Sequence, residues 1–430
     1  MNRALLPPLL AAALSFACGR SSHPAPAPRD AFPDRAQGFG AKLVVDAGGG
    51  RHLAAGTPVG TGPRPVRYGY CAAGCGAASS WAFVSLDELG AAGGSVDLAV
   101  DGAGHPRLVW YSRYASVAEY RYAFCDAGCT DAAGWTVVLL WPATVAGPLA
   151  LTRYLALASD GRPRLVWADA NPNHAGVFYS FCDGDCAQSL GGPSSGWHEV
   201  LLPTSSASAD FTVAVAASGA TRVGARTAGG DLAWLQCEMG CDAREGWSNE
   251  TSLFALGIGG SFALSLDGEG NPRLALYQDT SAGGVPGPSD QRLFYASCDG
   301  DCAGSGAWAA TTLGLALGAG ANGVDLALDA TGRPRVAYGY QTPSTGATGV
   351  ALASCDAGCE RAPSGWTATV LETASALEAS EPRAVPAGFD GAGWLTLGRG
   401  PSLALDASGA ASVASGAEHA RWQGTPPVPE

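Results

Sequence analysis

Along most of this chain, apolar side chains alternate with polar or small ones in short runs that are broken by glycine, proline and aspartate, which is the period of strands rather than helices. Residues 95–140 show the pattern well. Ser95-Val96-Asp97-Leu98-Ala99-Val100-Asp101 alternates as a first strand, and Gly102-Ala103-Gly104-His105-Pro106 supplies the turn after it. Arg107-Leu108-Val109-Trp110-Tyr111 is the second strand, Tyr120-Arg121-Tyr122-Ala123-Phe124-Cys125 the third, and Trp135-Thr136-Val137-Val138-Leu139-Leu140 the fourth. With these named A to D, the unit is an antiparallel meander of four strands. Helical spacing hardly intrudes after Ala41, and only 373–381 has the pattern of a short helix.

The unit repeats. Six times a strand runs into Cys-x-x-x-Cys and a Trp then opens the next strand: Cys71 and Cys75 with Trp81, Cys125 and Cys129 with Trp135, Cys182 and Cys186 with Trp197, Cys237 and Cys241 with Trp247, Cys298 and Cys302 with Trp308, and Cys355 and Cys359 with Trp366. Successive first cysteines lie 54, 57, 55, 61 and 57 residues apart, room for four short strands but not for an independent domain. Each unit must therefore bury its faces against its neighbours. The A/B hairpin recurs as well, as Asp160-Gly161-Arg162-Pro163-Arg164, Asp267-Gly268-Glu269-Gly270-Asn271-Pro272-Arg273 and Asp329-Ala330-Thr331-Gly332-Arg333-Pro334-Arg335, with looser copies at 46–52, 217–222 and 406–412. Asp caps each turn, Gly takes positive φ, and Pro opens the outgoing strand where its missing N–H does least harm.

All-β units of this length predict a β-propeller, in which radial packing of four-stranded antiparallel blades protects the sheet edges. The chain resembles, over residues 41–422, the bacterial secreted propeller repeats of the LALDxxGxPRLAY kind and, more distantly, the Asp-box propellers. That resemblance implies architecture and is silent on function, because the fold hosts binders and enzymes alike. Six units carry the cysteine pair, but the A/B hairpin occurs seven times, the last around Asp406-Ala407-Ser408-Gly409. The expected count is seven blades, the last irregular or completed by strands from elsewhere in the chain, with six and eight as the alternatives. A further hairpin is expected within 385–398.

The N-terminus changes the picture from a free domain to an exported one. Arg3 precedes an apolar stretch from Ala4 to Ala17, which is too short to span a bilayer and reads as a signal peptide over 1–17. Leu14-Ser15-Phe16-Ala17-Cys18 resembles a bacterial lipobox, with Ser15 where Leu is usual, which implies lipidation of Cys18; ordinary signal cleavage nearby is the alternative. Cysteine arithmetic agrees, since thirteen cysteines less six pairs leaves Cys18. Residues 18–40 then form a Pro-rich tether and 41–430 the propeller, and no further run is apolar enough to cross a membrane. The expected address is the cell envelope by lipid anchor, at the outer membrane rather than the inner because Gly19 follows the cysteine instead of Asp, or the exterior if the lipobox is not used.

In an exported chain, a cysteine pair around a three-residue turn predicts a disulfide. Zinc needs four ligands and each unit offers two with no nearby His, while free or redox-active thiols are the other reading. No metal and no cofactor are expected. Net charge is −13, and a single lysine, Lys42, stands among 24 arginines with no basic cluster, so nucleic acid is not an expected partner. The repeated Arg107, Arg164, Arg273 and Arg335 suggest the arginine cluster of sialidases, but a catalytic site is built once from unlike residues, so repetition reads as structure. The Trp after each cysteine pair reads as blade-to-blade packing, with a sugar-stacking platform as the alternative.

No catalytic motif is present: there is no His-Glu-x-x-His, P-loop or Gly-x-Ser-x-Gly elbow. A function is expected on the B/C loops, which differ from blade to blade, whereas the A/B and C/D turns on the opposite face are regular. The candidate binding residues are Tyr111 and Tyr114 in 111–120, Asn171, Asn173 and His174 in 169–176, Asp279 and Asp290 in 278–291, and Gln341 in 341–349. The expected protein is a monomeric, envelope-anchored binding scaffold for a protein or glycan, touching the membrane through its lipid alone. An exported glycan-active enzyme, sialidase-like or another glycosidase or lyase, and a ligand-free envelope protein are the alternatives.

Overall fold

The computed structural model describes residues 29–30, 39–56, 64–75, 80–89, 94–114, 117–143, 154–169, 173–192, 194–204, 211–227, 229–256, 261–279, 291–313, 318–341, 348–373, 401–415 and 421–423. The signal stretch 1–17, Cys18, the hairpin expected in 385–398 and all but the first residue of the helix expected in 373–381 lie outside them. After a two-residue strand β1 (Arg29–Asp30), six meanders follow. Blade 1 is β2 (Phe39–Val45), β3 (Arg51–Gly56), β4 (Arg64–Cys71) and β5 (Ala82–Leu89). Blade 2 is β6 (Gly94–Val100), β7 (Pro106–Tyr114), β8 (Val117–Phe124) and β9 (Thr136–Ala143). Blade 3 is β10 (Leu155–Leu157), β11 (Pro163–Asp169), β12 (Gly176–Cys182) and β13 (Trp197–Leu201). Blade 4 is β14 (Phe211–Val215), β15 (Thr221–Arg226), β16 (Asp231–Cys237) and β17 (Thr251–Ala255). Blade 5 is β18 (Ser261–Leu266), β19 (Pro272–Asp279), β20 (Gln291–Ser297) and β21 (Ala309–Thr312). Blade 6 is β22 (Gly318–Leu328), β23 (Pro334–Gln341), β24 (Thr348–Cys355) and β25 (Trp366–Thr373).

The expectation of seven four-stranded blades is corrected here: six blades are complete, each a run of four consecutive strands clipped by its own disulfide. The remaining sheet is built differently. It joins β26 (Ser402–Leu405), β27 (Ala411–Ser415) and β28 (Arg421–Gln423) to β1, so that Arg29 faces Trp422 and Asp30 faces Arg421. This composite sheet carries no cysteine pair, and its outer strands come from opposite ends of the chain. It fills the gap between blades 6 and 1, with β26 against both β22 and β2. The first strand of each of the six blades and β26 of the composite sheet lie innermost, and together these strands wall a central channel of about 480 Å3.

Each A/B turn is closed by its own aspartate or its equivalent main chain. At Asp329, Oδ1 accepts the N–H of Thr331 and of Arg333 (2.9 and 3.0 Å), while the main chain closes from Gly332 N to Asp329 O at 2.8 Å. Gly332 has φ +79° there, a conformation in which a side chain is strained.

Every C/D turn is closed by sulfur. Cys71 bonds Cys75, Cys125 bonds Cys129, Cys182 bonds Cys186, Cys237 bonds Cys241, Cys298 bonds Cys302 and Cys355 bonds Cys359, with Cα separations of 5.7–5.9 Å. The zinc and free-thiol readings of these twelve residues therefore fall. Closing a five-residue loop restricts the unfolded chain by about 2 kcal/mol per bridge on the chain-entropy model. Disulfides of this number belong to an exported protein in an oxidising compartment. Among the described residues no helix is long and apolar enough to cross a membrane.

Between blades, the post-cysteine Trp of one unit meets an aromatic residue three positions before the first cysteine of the preceding unit. The pairs are Tyr68–Trp135, Tyr122–Trp197, Tyr179–Trp247, Trp234–Trp308 and Tyr295–Trp366, with ring centroids 4.8–5.3 Å apart and mostly edge-on. Each of the six indoles also donates Nε1–H to the carbonyl of its own second cysteine, at 2.9–3.2 Å. These rings are largely buried, so the packing reading holds and the stacking-platform reading does not.

Candidate functional site

The cysteines are scaffold rather than site. All six first cysteines are buried, and so are Cys75 and Cys302 among the second ones; Cys129, Cys186, Cys241 and Cys359 are half-buried. Each second cysteine is held by the indole that follows it: Trp81 bonds the Cys75 carbonyl at 3.0 Å, Trp135 that of Cys129 at 2.9 Å, Trp247 that of Cys241 at 3.1 Å and Trp308 that of Cys302 at 3.1 Å. The twelve lie in the C/D turns, on the opposite face from the B/C loops, so none of them joins the binding residues expected there.

The repeated arginines occupy that same regular face, where they bind the A/B turn to the cysteine turn. Arg273 shows the full set: Nη1 donates to the Cys298 carbonyl (3.1 Å), and Nη2 to Asp267 (2.7 Å) and Asp299 (2.6 Å). Arg107 bonds Cys125 O and Asp126, Arg164 bonds Cys182 O and Asp183, and Arg335 bonds Cys355 O and Asp356. In blade 4 the same geometry uses Arg222, the Cys237 carbonyl and Glu238. Every arginine of this set spends its donors inside its own blade, so the five form structural clamps rather than one converging cluster.

Several aspartates that close the A/B turns titrate low. Burial alone would raise the Asp329 carboxyl, but hydrogen bonds from the hydroxyl and N–H of Thr331 and from the N–H and guanidinium of Arg333 hold it at about 2, against an ordinary 3.8. A depressed folded-state pKa gives stability that is complete above the unfolded value and is lost as pH falls through the folded one. We therefore expect thermal stability to fall between about pH 4 and pH 2. The Asp329→Asn variant will show a shallower fall, and equal slopes for both proteins in pH-dependent calorimetry would contradict the assignment.

Between successive blades on this same face the turns leave polar grooves. One of about 830 Å3 lies between blades 5 and 6, with Asp267, Glu269, Asn271 and Asp299 on one wall, and Arg333, Cys359, Glu360 and Arg361 on the other. Smaller ones of about 400 and 330 Å3 separate blades 4 and 5, and blades 3 and 4. Cys241 and Met239 line the last of these, and Met239 is 84% exposed. Glu360 and Arg361 take part in no ion pair with a described residue, which leaves them available to a ligand. Local sequence gives no sign of these grooves, because they arise from the spacing between turns of different units.

The opposite face was the expected working surface, and the structure departs from that expectation at Tyr111. Residues 111–120 are not an open loop: β7 and β8 extend to within two residues of each other, pairing Tyr111 with Tyr120 and Tyr114 with Val117. The Tyr111 ring is buried and sits 5.1 Å from that of Tyr120, because alternation carries it to the inter-blade side of the strand. Tyr114, Asp279 and Gln341 end their strands, and Asn171 and Asp290 lie outside the described residues. Asn173 is exposed in the turn before β12.

His174 sits between two carboxylates. Its ring nitrogens contact Asp169 Oδ2 and Glu199 Oε1, each at 3.1 Å, and the ring stacks on Phe178 with centroids 4.3 Å apart. Burial opposes its charging, but the two carboxylates outweigh that and raise its pKa above the ordinary 6.5. No group of side chains suited to hold a metal ion occurs among the described residues.

No protein-family model matches the chain, and no curated protein is similar to it at the sequence level. Solved structures are similar in fold. A polysaccharide lyase described as a PL25 ulvan lyase superposes with TM-score 0.50 at 10% identity, covering 91% of this chain and 94% of that one. The BP39L lectin from Burkholderia pseudomallei gives 0.46 at 12% identity over 91% and 99% of the two chains. The intramolecular trans-sialidase from Ruminococcus gnavus gives 0.45 at 10%, over 70% and 89%. At these identities the likeness concerns the propeller fold, which binding proteins and enzymes share.

Proposed function

We propose that this protein is an envelope-anchored scaffold that binds glycans through the polar grooves between its blades. The observation that carries the reading is the recurrence of those grooves at three successive blade junctions, each rimmed by carboxylates, amides or guanidinium groups. Repeated shallow sites on a rigid ring suit a repetitive ligand, because linked weak contacts add through effective concentration. Hydroxyl-rich ligands are recognised by convergent polar side chains of this kind. Anchoring through Cys18 is supported by the signal-like stretch before it, the Pro-rich segment after it, and the pairing of the other twelve cysteines. Loss of metabolic palmitate labelling in Cys18→Ser tests the anchor, and labelling that survives would remove it.

The test of the site is a glycan array followed by titration of any hit against two variants. The double variant Glu360→Ala/Arg361→Ala alters the rim of the groove between blades 5 and 6 and leaves the clamp of Arg335 in place. We expect about tenfold weaker binding. Removing 280–290, the segment between β19 and β20, is expected to leave binding unchanged. The reverse result would move the site to the variable loops, an array without hits but with a captured protein would replace the glycan by a protein partner, and turnover of an array glycan would make the protein an enzyme.

A further inference from the structure

The inner strands carry, at one register, a ring of unlike side chains: Lys42, Asp97, Tyr154, Thr212, Ala263, Asp325 and Ser402, each four residues before the start of its A/B turn. Three of them act as bridges to the next sheet. Asp97 accepts the Leu155 N–H at 2.8 Å, Asp325 accepts the Leu403 N–H at 2.8 Å, and Ser402 Oγ accepts the Leu43 N–H at 3.0 Å. These bonds show that the main-chain N–H one residue after each ring position points inward, as expected of an edge strand whose alternate amides lack a ladder partner. Lys42 cannot accept such a bond. Accordingly the amide it would have served, Leu98 N–H, is taken by the neighbouring Asp97 carboxylate at 2.9 Å.

Lys42 thus stands in the channel wall as a cation in a ring of acceptors and neutral groups. It is 9% exposed, and it makes neither a salt bridge nor a side-chain hydrogen bond with any described residue. The Asp97 carboxylate in the same wall is occupied by two amides. An ammonium held away from bulk water without a carboxylate keeps an unmet demand for an anion. The inward amides of Leu43, Leu98, Leu155, Leu326 and Leu403 are already bonded, and Asp97 is the one other charged side chain among the described residues that wall this space of about 480 Å3.

We propose that the central channel binds a small carboxylate, of the size of a single sugar acid, with Lys42 as its counter-charge. The site is separate from the grooves between the blades, and its failure leaves the groove reading untouched. Because Lys42 is the single lysine of the chain, [13C]lysine labelling of the full chain gives one Cε resonance that reports this site alone. Titration with glucuronate should move that resonance saturably. Glucose, and sodium chloride at equal ionic strength, should not move it. Lys42→Met should weaken glucuronate binding by about tenfold or more in calorimetry, while Lys42→Arg keeps it within a few-fold. A resonance that glucuronate leaves unmoved, or that chloride moves equally, would overturn the proposal. So would a folded Lys42→Met protein that binds glucuronate as the parent does.

Discussion

Trp197→Ala will lower the unfolding free energy by about 3–5 kcal/mol, the range for emptying a buried aromatic site. Three contacts end together: the edge-on contact with Tyr122 of the preceding blade at 5.3 Å, the Nε1–H bond to the Cys186 carbonyl at 3.2 Å, and the packing that leaves the ring 3% exposed. Trp197→Phe separates them. It keeps most of the ring and loses the hydrogen bond, so a cost of about 1 kcal/mol is expected. Urea unfolding followed by circular dichroism measures both. If the two variants cost the same, the indole acts through its N–H on the cysteine turn and the inter-blade contact adds nothing.

The parts of this fold that are legible in sequence are those that repeat locally. Four strands, two turns and one cysteine pair return at a nearly constant interval, and each piece has its own chemistry: Asp and Gly for the A/B turn, Cys-x-x-x-Cys for the C/D turn. The aromatic residue three places before a first cysteine is also on view, and it explains which surface Trp meets. Blade 6 has Leu352 at that position, and in place of a Trp that follows a cysteine pair it packs with Leu403, Ala411 and Val413 of the composite sheet, a consistent exchange of partners. Other features are hidden because their partners are remote. Asp97 and Asp325 look like polar positions of ordinary alternating strands, yet their amide partners lie 58 and 78 residues away. Strand β1 has two residues and no period, and its place is set by β28 at the far end of the chain. Tyr111 reads as a loop residue because the sequence after it lacks clear alternation, but cross-strand pairing with Tyr120 continues the hairpin nearly to its tip. The grooves depend on distances between turns of different blades, which no local pattern encodes.

Asp325→Ala will destabilise the ring at its composite sheet. Asp325 is 3% exposed, and its carboxylate accepts the Leu326 N–H, the Leu403 N–H and the Ser402 hydroxyl at 2.9, 2.8 and 3.4 Å. Ser402 passes the connection on to Leu43 N–H in blade 1, so one side chain organises the inner edge of three sheets in succession. Hydrogen bonds to a charged acceptor contribute about 1.5–3 kcal/mol each, and truncation leaves buried amides without a partner, so a loss of about 3–5 kcal/mol is expected. Asp97→Ala removes the same kind of bond between blades 2 and 3, and its overall cost should be similar. The two differ in where the loss falls. Hydrogen exchange should quicken at 402–405 and 42–45 in Asp325→Ala, and at 97–100 and 154–157 in Asp97→Ala, because the composite sheet has no disulfide and ties its outer edge with the two-residue β1. Exchange that rises evenly around the ring in both variants would mean that the ring opens as one unit, and that the composite sheet is no weaker than the six stapled blades.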